Sequence, residues 1–114
     1  MRVLSDPTLA RSARGAVATC PCCGDPVLQF CDTRVTVRPA ELRAMLRTVR
    51  AICAAADRPG ACWGWALRAH TAREHVTFRL SADDAFELHA LLDEAAATLA
   101  LDALLVEAFQ TEPS

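Results

Sequence analysis

Apolar and polar residues alternate in two separate parts of the chain, and a helical pattern follows each of them. Residues 27–31 and 34–38 have the alternation of short strands. Asp32 and Thr33 stand between them and suit a tight turn. From Pro39 onward, apolar residues recur at helical spacing with arginines on the opposite side, until a Pro-Gly pair stops the pattern. The first part therefore predicts a hairpin followed by a helix.

The same order of elements returns in the second part of the chain. Residues 63–70 and 75–80 alternate as two strands around a short turn. Ser81 is a suitable helix N-cap, and Asp84 stands three residues later, where a capping-box partner belongs. Apolar residues then recur at helical spacing without glycine or proline as far as residue 112. A second hairpin–helix unit is therefore predicted.

Together the two units predict an α+β fold. Two ββα units can form one four-stranded antiparallel sheet with two helices covering one of its faces. Residues 1–19 lack a steady period and are predicted to form a mobile leader. Residues 20–110 are predicted to form one domain, because a chain of 114 residues has the length of a single domain. Its first unit spans residues 20–58 and its second unit residues 62–110.

A short cysteine motif precedes the first hairpin. Cys20 and Cys23 form a C-x-x-C ahead of the two units, whose strand-to-helix junctions fall at Val37 and Leu80. In this order the features resemble a family of small uncharacterised bacterial proteins, a domain of unknown function, over about residues 20–100. The resemblance implies the α+β fold and a cytoplasmic location. It implies no mechanism.

Charge is divided unevenly along the chain. Residues 1–79 carry all 12 arginines against 6 acidic residues, whereas residues 80–114 carry 8 acidic residues and no basic one. We expect the acidic second helix to lie near the arginine-rich part of the same fold. The alternative is that oppositely charged faces steer self-association or a charged partner. No stretch is apolar for long enough to span a membrane, so no membrane partner is predicted.

Residues 20–24, Cys-Pro-Cys-Cys-Gly, carry the clearest chemical signal. The spacing of Cys20 and Cys23 lets both thiolates reach one zinc ion, and Cys22 is a third candidate ligand. A closed structural zinc site has four ligands. Cys62, which opens the second hairpin as Cys23 opens the first, is the best further ligand within the chain. A second copy that donates its own pair of thiolates is the other way to complete the site.

Two further interpretations of this motif stay open. Cys-Pro-x-Cys is also the spelling of dithiol oxidoreductases, although the helix N-terminus that activates their first cysteine is missing here. The motif can also be a turn with reduced thiols and no metal. Six cysteines without a secretion signal favour reduced thiols and a cytoplasmic location.

The remaining candidate groups have weaker signals. Cys53 lies on the apolar stripe of the first helix and is predicted to be a small core residue. His70, His75 and His89 are each predicted to be polar packing or solvated surface. Trp63 and Trp65, on one strand face, are predicted to pack in the core or at a partner groove.

The sequence thus predicts a small, non-enzymatic cytoplasmic interaction protein, either a homodimer or bound to another protein, with structural zinc at the cysteine motif. No catalytic constellation or small-molecule substrate is evident. The alternative is a dithiol redox or thiol-sensing protein. Nucleic-acid binding through the arginine-rich first helix is the weakest option, because the chain is net acidic and offers no stacking platform. The arginines that could face phosphates are Arg43, Arg47, Arg50 and Arg58.

Overall fold

A computed structural model describes residues 8–58, 60 and 64–110, with side chains described as far as residue 105. The elements in chain order are β1 (Thr8–Arg11), β2 (Gly15–Thr19), β3 (Pro26–Phe30), β4 (Thr33–Thr36), α1 (Pro39–Ala56), β5 (Trp65–His70), β6 (His75–Leu80) and α2 (Ala82–Gln110).

The strands form two separate antiparallel sheets. One has four strands in the order β1-β2-β3-β4, and the other consists of β5 and β6 alone. The α+β class is therefore confirmed. The predicted pairing of the two hairpins in one sheet differs from the structure, in which β4 and β6 approach each other without pairing. The other two strands of the larger sheet come from residues 8–19.

Residues 8–19 form β1 and β2, although the sequence pattern assigned them to a mobile leader. β2 is a central strand, paired with β1 on one side and with β3 on the other. Val17 in β2 is fully buried, and Leu9 and Ala10 in β1 also belong to the core. The apolar and polar residues of these strands alternate only weakly. The strands therefore depend on pairing and burial for their stability. Residues 1–7 lie outside the described residues.

The turn between β3 and β4 lies one residue earlier than predicted. Cys31 and Asp32 form it, and Cys31 has a φ of 54°, in the left-handed region that two-residue hairpin turns require. Cys31 is exposed, at the end of the hairpin away from the cysteine motif.

Both predicted helix starts are confirmed. α1 begins at Pro39, and the Glu41 carboxylate accepts a hydrogen bond from the Arg38 backbone N–H at 2.7 Å. At the start of α2, the Ser81 Oγ accepts from the Asp84 N–H at 3.1 Å, and the Asp84 carboxylate accepts from the Ser81 N–H at 2.9 Å. This reciprocal pair is the capping box that the spacing predicted.

One core connects both sheets and both helices. α2 packs against β1 and β2, while α1 packs against α2 and β5. The buried apolar residues with at most 1% exposure include Val17, Leu28, Val35, Val37, Leu42, Val49, Leu67, Ala85, Leu88, Leu91, Leu92 and Ala95. Since no charged or polar residue of the described part is buried, hydrophobic burial is the main contribution to stability.

A polar network fixes the start of α2 to the β1–β2 turn. Glu87 accepts from the Ser12 hydroxyl at 2.6 Å and from the Arg14 backbone N–H at 2.9 Å. The Arg14 guanidinium also pairs with Asp84, at 2.6 Å. On the other side of α2, Asp93 faces Arg50 of α1 at 3.9 Å. The acidic helix thus lies beside arginines of the same fold, as the charge division predicted.

Candidate metal and thiol site

The cysteine motif forms the turn that joins β2 to β3, and residues 20–24 are called the knuckle below. The Cys20 N–H donates to the Asp25 carbonyl, and the Gly24 N–H donates to the Cys20 carbonyl, each at 2.8 Å. Gly24 has a φ of +79°, a conformation that favours glycine. Glycine at this position therefore lets the chain reverse within five residues.

The turn directs backbone amides at the first thiol. The N–H groups of Cys23 and Cys22 hydrogen-bond the Cys20 sulfur and lower the pKa of this thiol below its ordinary value. Cys20 is half-buried, and the other two cysteines of the knuckle are exposed. The local fold therefore stabilises a thiolate at Cys20 without a helix N-terminus.

A cation from the smaller sheet reaches the same turn. Arg73, in the β5–β6 turn, hydrogen-bonds the Cys23 side chain, and its guanidinium lies 3.7 Å from the Asp25 carboxylate. These contacts raise the pKa of Arg73 above its ordinary value. The β5–β6 turn is itself fixed to α1, because Glu41 accepts from the Ala72 N–H at 3.1 Å. The knuckle is thus a point of contact between the two sheets.

The predicted ligands are brought together only in part. Cys20, Cys22 and Cys23 share one turn, whereas Cys62 lies outside the described residues. Within the described ranges, no group of three or more His, Cys, Asp or Glu side chains is arranged to hold a metal ion. The described thiolates therefore supply at most part of a four-ligand site.

A shallow groove begins at the knuckle and runs over the outer face of the larger sheet. It has a volume of about 310 Å³, and small residues of β2 form much of its floor. Its lining residues are Ala16, Ala18, Thr19, Cys20, Pro21, Val27, Gln29 and Arg34. The Cys20 side of the knuckle is therefore accessible to a molecule that lies on this face. The sequence pattern could not reveal the groove, because β2 was not recognised as a strand.

The other candidate residues lie apart from the knuckle. Cys53 packs against the core and its thiol donates to the Ala85 carbonyl at 3.4 Å, with its pKa raised by burial. Trp65 is half-buried against the same core, as predicted for it, while Trp63 lies outside the described residues. His89 is half-buried on α2.

The α1 arginines proposed for nucleic-acid contact remain on the solvent side of the helix. Arg43, Arg47 and Arg50 are all exposed, and Arg50 faces the acidic Asp93. No helix among the described residues has the length and apolar character needed to cross a membrane. Comparison with protein-family models, curated proteins and solved structures finds no match to this chain.

Proposed function

We propose that this chain is a small interaction protein that binds structural zinc at Cys20 and Cys23 and pairs with a second copy of itself. The observation that carries the zinc proposal is the pair of backbone amides directed at the Cys20 sulfur. Zinc binds the deprotonated thiolate, and hydrogen bonds from the surrounding turn stabilise that form before the metal arrives. The knuckle has these features in one short segment.

The remaining zinc ligands are proposed to come from the second copy. Within the described part of one chain, no group of three or more ligands is arranged around an ion, while Cys20 and Cys23 of two chains together offer four thiolates. Four thiolates around Zn²⁺ carry a net negative charge, and Arg73 lies where it can offset that charge. Cys62 is the alternative, because it can complete a site within one chain.

The C-terminal part of α2 supplies an apolar surface for the same pairing. Leu101, Leu104 and Leu105, called the leucine patch below, are 55%, 63% and 50% exposed. α2 begins beside the β1–β2 turn, where Glu87 accepts from the Ser12 hydroxyl, and further along Thr98 donates to the Leu9 carbonyl at 3.2 Å. The helix therefore runs along β1 towards the end of the larger sheet that carries the knuckle. The leucine patch therefore lies beyond the end of the sheet at which the knuckle also lies.

The apolar area of the leucine patch is small, which fits a dimer of two copies that also needs zinc. Complete burial of a leucine side chain contributes roughly 1.5–3 kcal/mol, so burying the exposed half of three leucines from each copy contributes about 5–9 kcal/mol. Association costs at least about 4 kcal/mol in lost freedom of motion. The leucine patch alone therefore supports only a weak dimer. A shared zinc ion adds the binding energy that a stable dimer needs.

Native mass spectrometry of tag-free protein tests both parts of the proposal. We expect one zinc ion per two chains, and loss of zinc and of the dimer in Cys20→Ser. Cys31→Ser removes an exposed cysteine outside the knuckle and is the matched control, with zinc retained. One zinc ion per single chain would point to Cys62 instead. Metal-free protein with wild-type stability would overturn the zinc proposal.

The leucine patch is tested separately by sedimentation. Leu101→Gln combined with Leu104→Gln is expected to weaken the zinc-loaded dimer, because less apolar area is buried. Ala90→Gln changes an exposed α2 position over the body of the fold and serves as control. Because α2 carries acidic residues but no lysine or arginine, salt should strengthen the dimer by screening repulsion between the helices. Unchanged dimerisation in the double variant would exclude this surface.

A second candidate function is dithiol exchange, favoured by the lowered pKa of the accessible Cys20 thiol. The Cys20 thiolate would attack a disulfide substrate and release one thiolate. Cys23 would then attack the mixed disulfide and release the second. The substrate gains two electrons and becomes two thiols, while the knuckle becomes a Cys20–Cys23 disulfide.

Alkylation kinetics measured against pH distinguish this function. Metal-free protein should react with iodoacetamide faster at Cys20 than at the exposed Cys31, with the transition at a pH below 8.5. A reversible Cys20–Cys23 disulfide should form with a disulfide reagent. Equal rates at the two cysteines would exclude the candidate. Both functions fit the free thiols of the described chain and the cytoplasmic location that we propose.

A further inference from the structure

Two histidines meet across the smaller sheet, on either side of the turn that carries Arg73. His70 ends β5, His75 begins β6, and the two are directly paired in the register. Their Nδ1 atoms are 2.5 Å apart, and the ring centroids are 4.6 Å apart with an angle of 78° between the ring planes. Both side chains are exposed. The sequence pattern gave each histidine a separate role and did not indicate that they form a pair.

We propose that this histidine pair is a chelating site for a divalent transition-metal ion. The two Nδ1 atoms face each other and share one hydrogen bond, so one ring donates and the other accepts. When the donor ring moves its proton to Nε2, both Nδ1 atoms offer a lone pair, and a metal ion between them replaces the hydrogen bond. Imidazole nitrogen suits Zn²⁺, Ni²⁺ and Cu²⁺, whereas Mg²⁺ and Ca²⁺ prefer oxygen. The site is distinct from the zinc knuckle and does not depend on the proposed function.

The backbone holds the two ligands in place before the metal binds. In the turn between them, the Thr71 N–H donates to the Glu74 carbonyl at 2.9 Å. The Thr71 hydroxyl oxygen accepts from the N–H groups of Arg73 and Glu74 at 3.2 and 3.0 Å. A ligand pair fixed in this way loses little further freedom on binding, which is the basis of a chelate effect.

Metal binding requires only a small movement of the rings. Metal–nitrogen distances of about 2.0–2.1 Å place two nitrogens about 3 Å apart at octahedral angles and about 3.3 Å apart at tetrahedral angles. The Nδ1 atoms must therefore separate by roughly 0.5–0.8 Å, and exposed rings can do so without disturbing the core. Water fills the remaining positions around the ion. The site is therefore open to a further ligand.

The surrounding charge moderates the affinity. Arg68 lies two residues before His70 on the same exposed face of β5, and its charge opposes a bound cation. Glu41 lines the small cavity of about 210 Å³ that His70 also lines, and its carboxylate opposes this effect. Since two protein ligands are few, we expect reversible binding rather than permanent retention of the ion.

The experiment is a titration of tag-free protein with Ni²⁺, followed through the ring proton resonances of the three histidines by NMR. We expect paramagnetic broadening of His70 and His75 together, at metal concentrations that leave His89 unchanged. His75→Gln should weaken binding at His70 at least about tenfold, because the chelate is lost. His89→Gln is the matched control and should bind as the wild type does.

Two results would overturn the inference. One is sharp His70 and His75 resonances in the presence of excess Ni²⁺, which would show that the pair binds no ion. The other is equal broadening of His70 in wild type and in His75→Gln, which would show single, independent histidines. Neither result concerns zinc at the knuckle. The zinc proposal is tested separately, by the zinc content of the Cys20→Ser variant.

Discussion

Gly15, at the start of β2, is closely packed between the neighbouring strand β3 and the helix α2. A Cβ at this position would lie 2.7 Å from the Gln29 carbonyl oxygen, 2.8 Å from the Phe30 ring and 3.1 Å from the Leu91 side chain. The first two distances are shorter than real contacts allow, and one of the atoms is backbone. Gly15→Ala therefore forces β3 or α2 to shift.

Two opposing effects determine the size of the change. Overpacking a well-packed site costs typically about 1–3 kcal/mol. Replacing glycine by alanine also restricts the unfolded chain, which stabilises the fold by about 0.4–1 kcal/mol. We expect the clash to exceed the gain, so that Gly15→Ala lowers the free energy of unfolding by about 1–2 kcal/mol.

Gly64→Ala is a control with the same chemistry and the opposite expected sign. The nearest atom to a Cβ there is the Leu80 carbonyl oxygen at 3.4 Å, an ordinary contact, and the backbone is not in the left-handed region. The gain of about 0.4–1 kcal/mol should then appear without a clash. Urea unfolding followed by circular dichroism measures both variants. If Gly15→Ala were as stable as Gly64→Ala, the close packing of Gly15 against β3 and α2 would be wrong.

Two further predictions concern the start of α2. Ser81→Ala removes the cap that receives the Asp84 N–H and should cost about 1 kcal/mol, a fall in Tm of about 4 °C, whereas Ser81→Thr keeps the hydroxyl and most of the stability. Acid should also destabilise the fold. The Ser81 N–H and Arg14 lower the pKa of Asp84, and the Ser12 hydroxyl and Arg14 lower that of Glu87. A carboxylate whose pKa is lower in the folded state stabilises the fold above its unfolded value, near 4, and this contribution is lost as the pH falls through the folded value. Thermal melts between about pH 7 and pH 2 should therefore show a steeper fall for wild type than for Glu87→Gln, and parallel curves would contradict the network.

The helix boundaries were predictable because they depend on local chemistry. Pro39 favours the first helical position, and Ser81 with Asp84 forms a capping box from residues three apart. The strands of residues 8–19 were not predictable in the same way. Their small, mixed residues have no strong strand preference, and pairing of β2 with β3 and of β1 with β2 gives them their structure.

In the candidate site, too, the local features were predictable from the sequence, whereas the features that depend on tertiary packing were not. The Cys20–Cys23 spacing was visible in the sequence, and so was a turn at Gly24. The approach of Arg73 to the knuckle depends on how the two sheets pack, so local sequence could not indicate it. The pairing of His70 with His75 depends on strand register, which a one-residue slip would have destroyed.

The length of α2 has a consequence for amide hydrogen exchange. Up to Leu99 the helix packs on the fold, and beyond it most described side chains are exposed. Amides near Leu91 and Leu92 should exchange only when the whole protein unfolds, whereas amides after Leu99 can exchange through local fraying. Protection should therefore fall steeply within one helix. A second copy bound at the leucine patch would move that boundary towards the C-terminus, so exchange along α2 alone reports whether this end of the helix is covered.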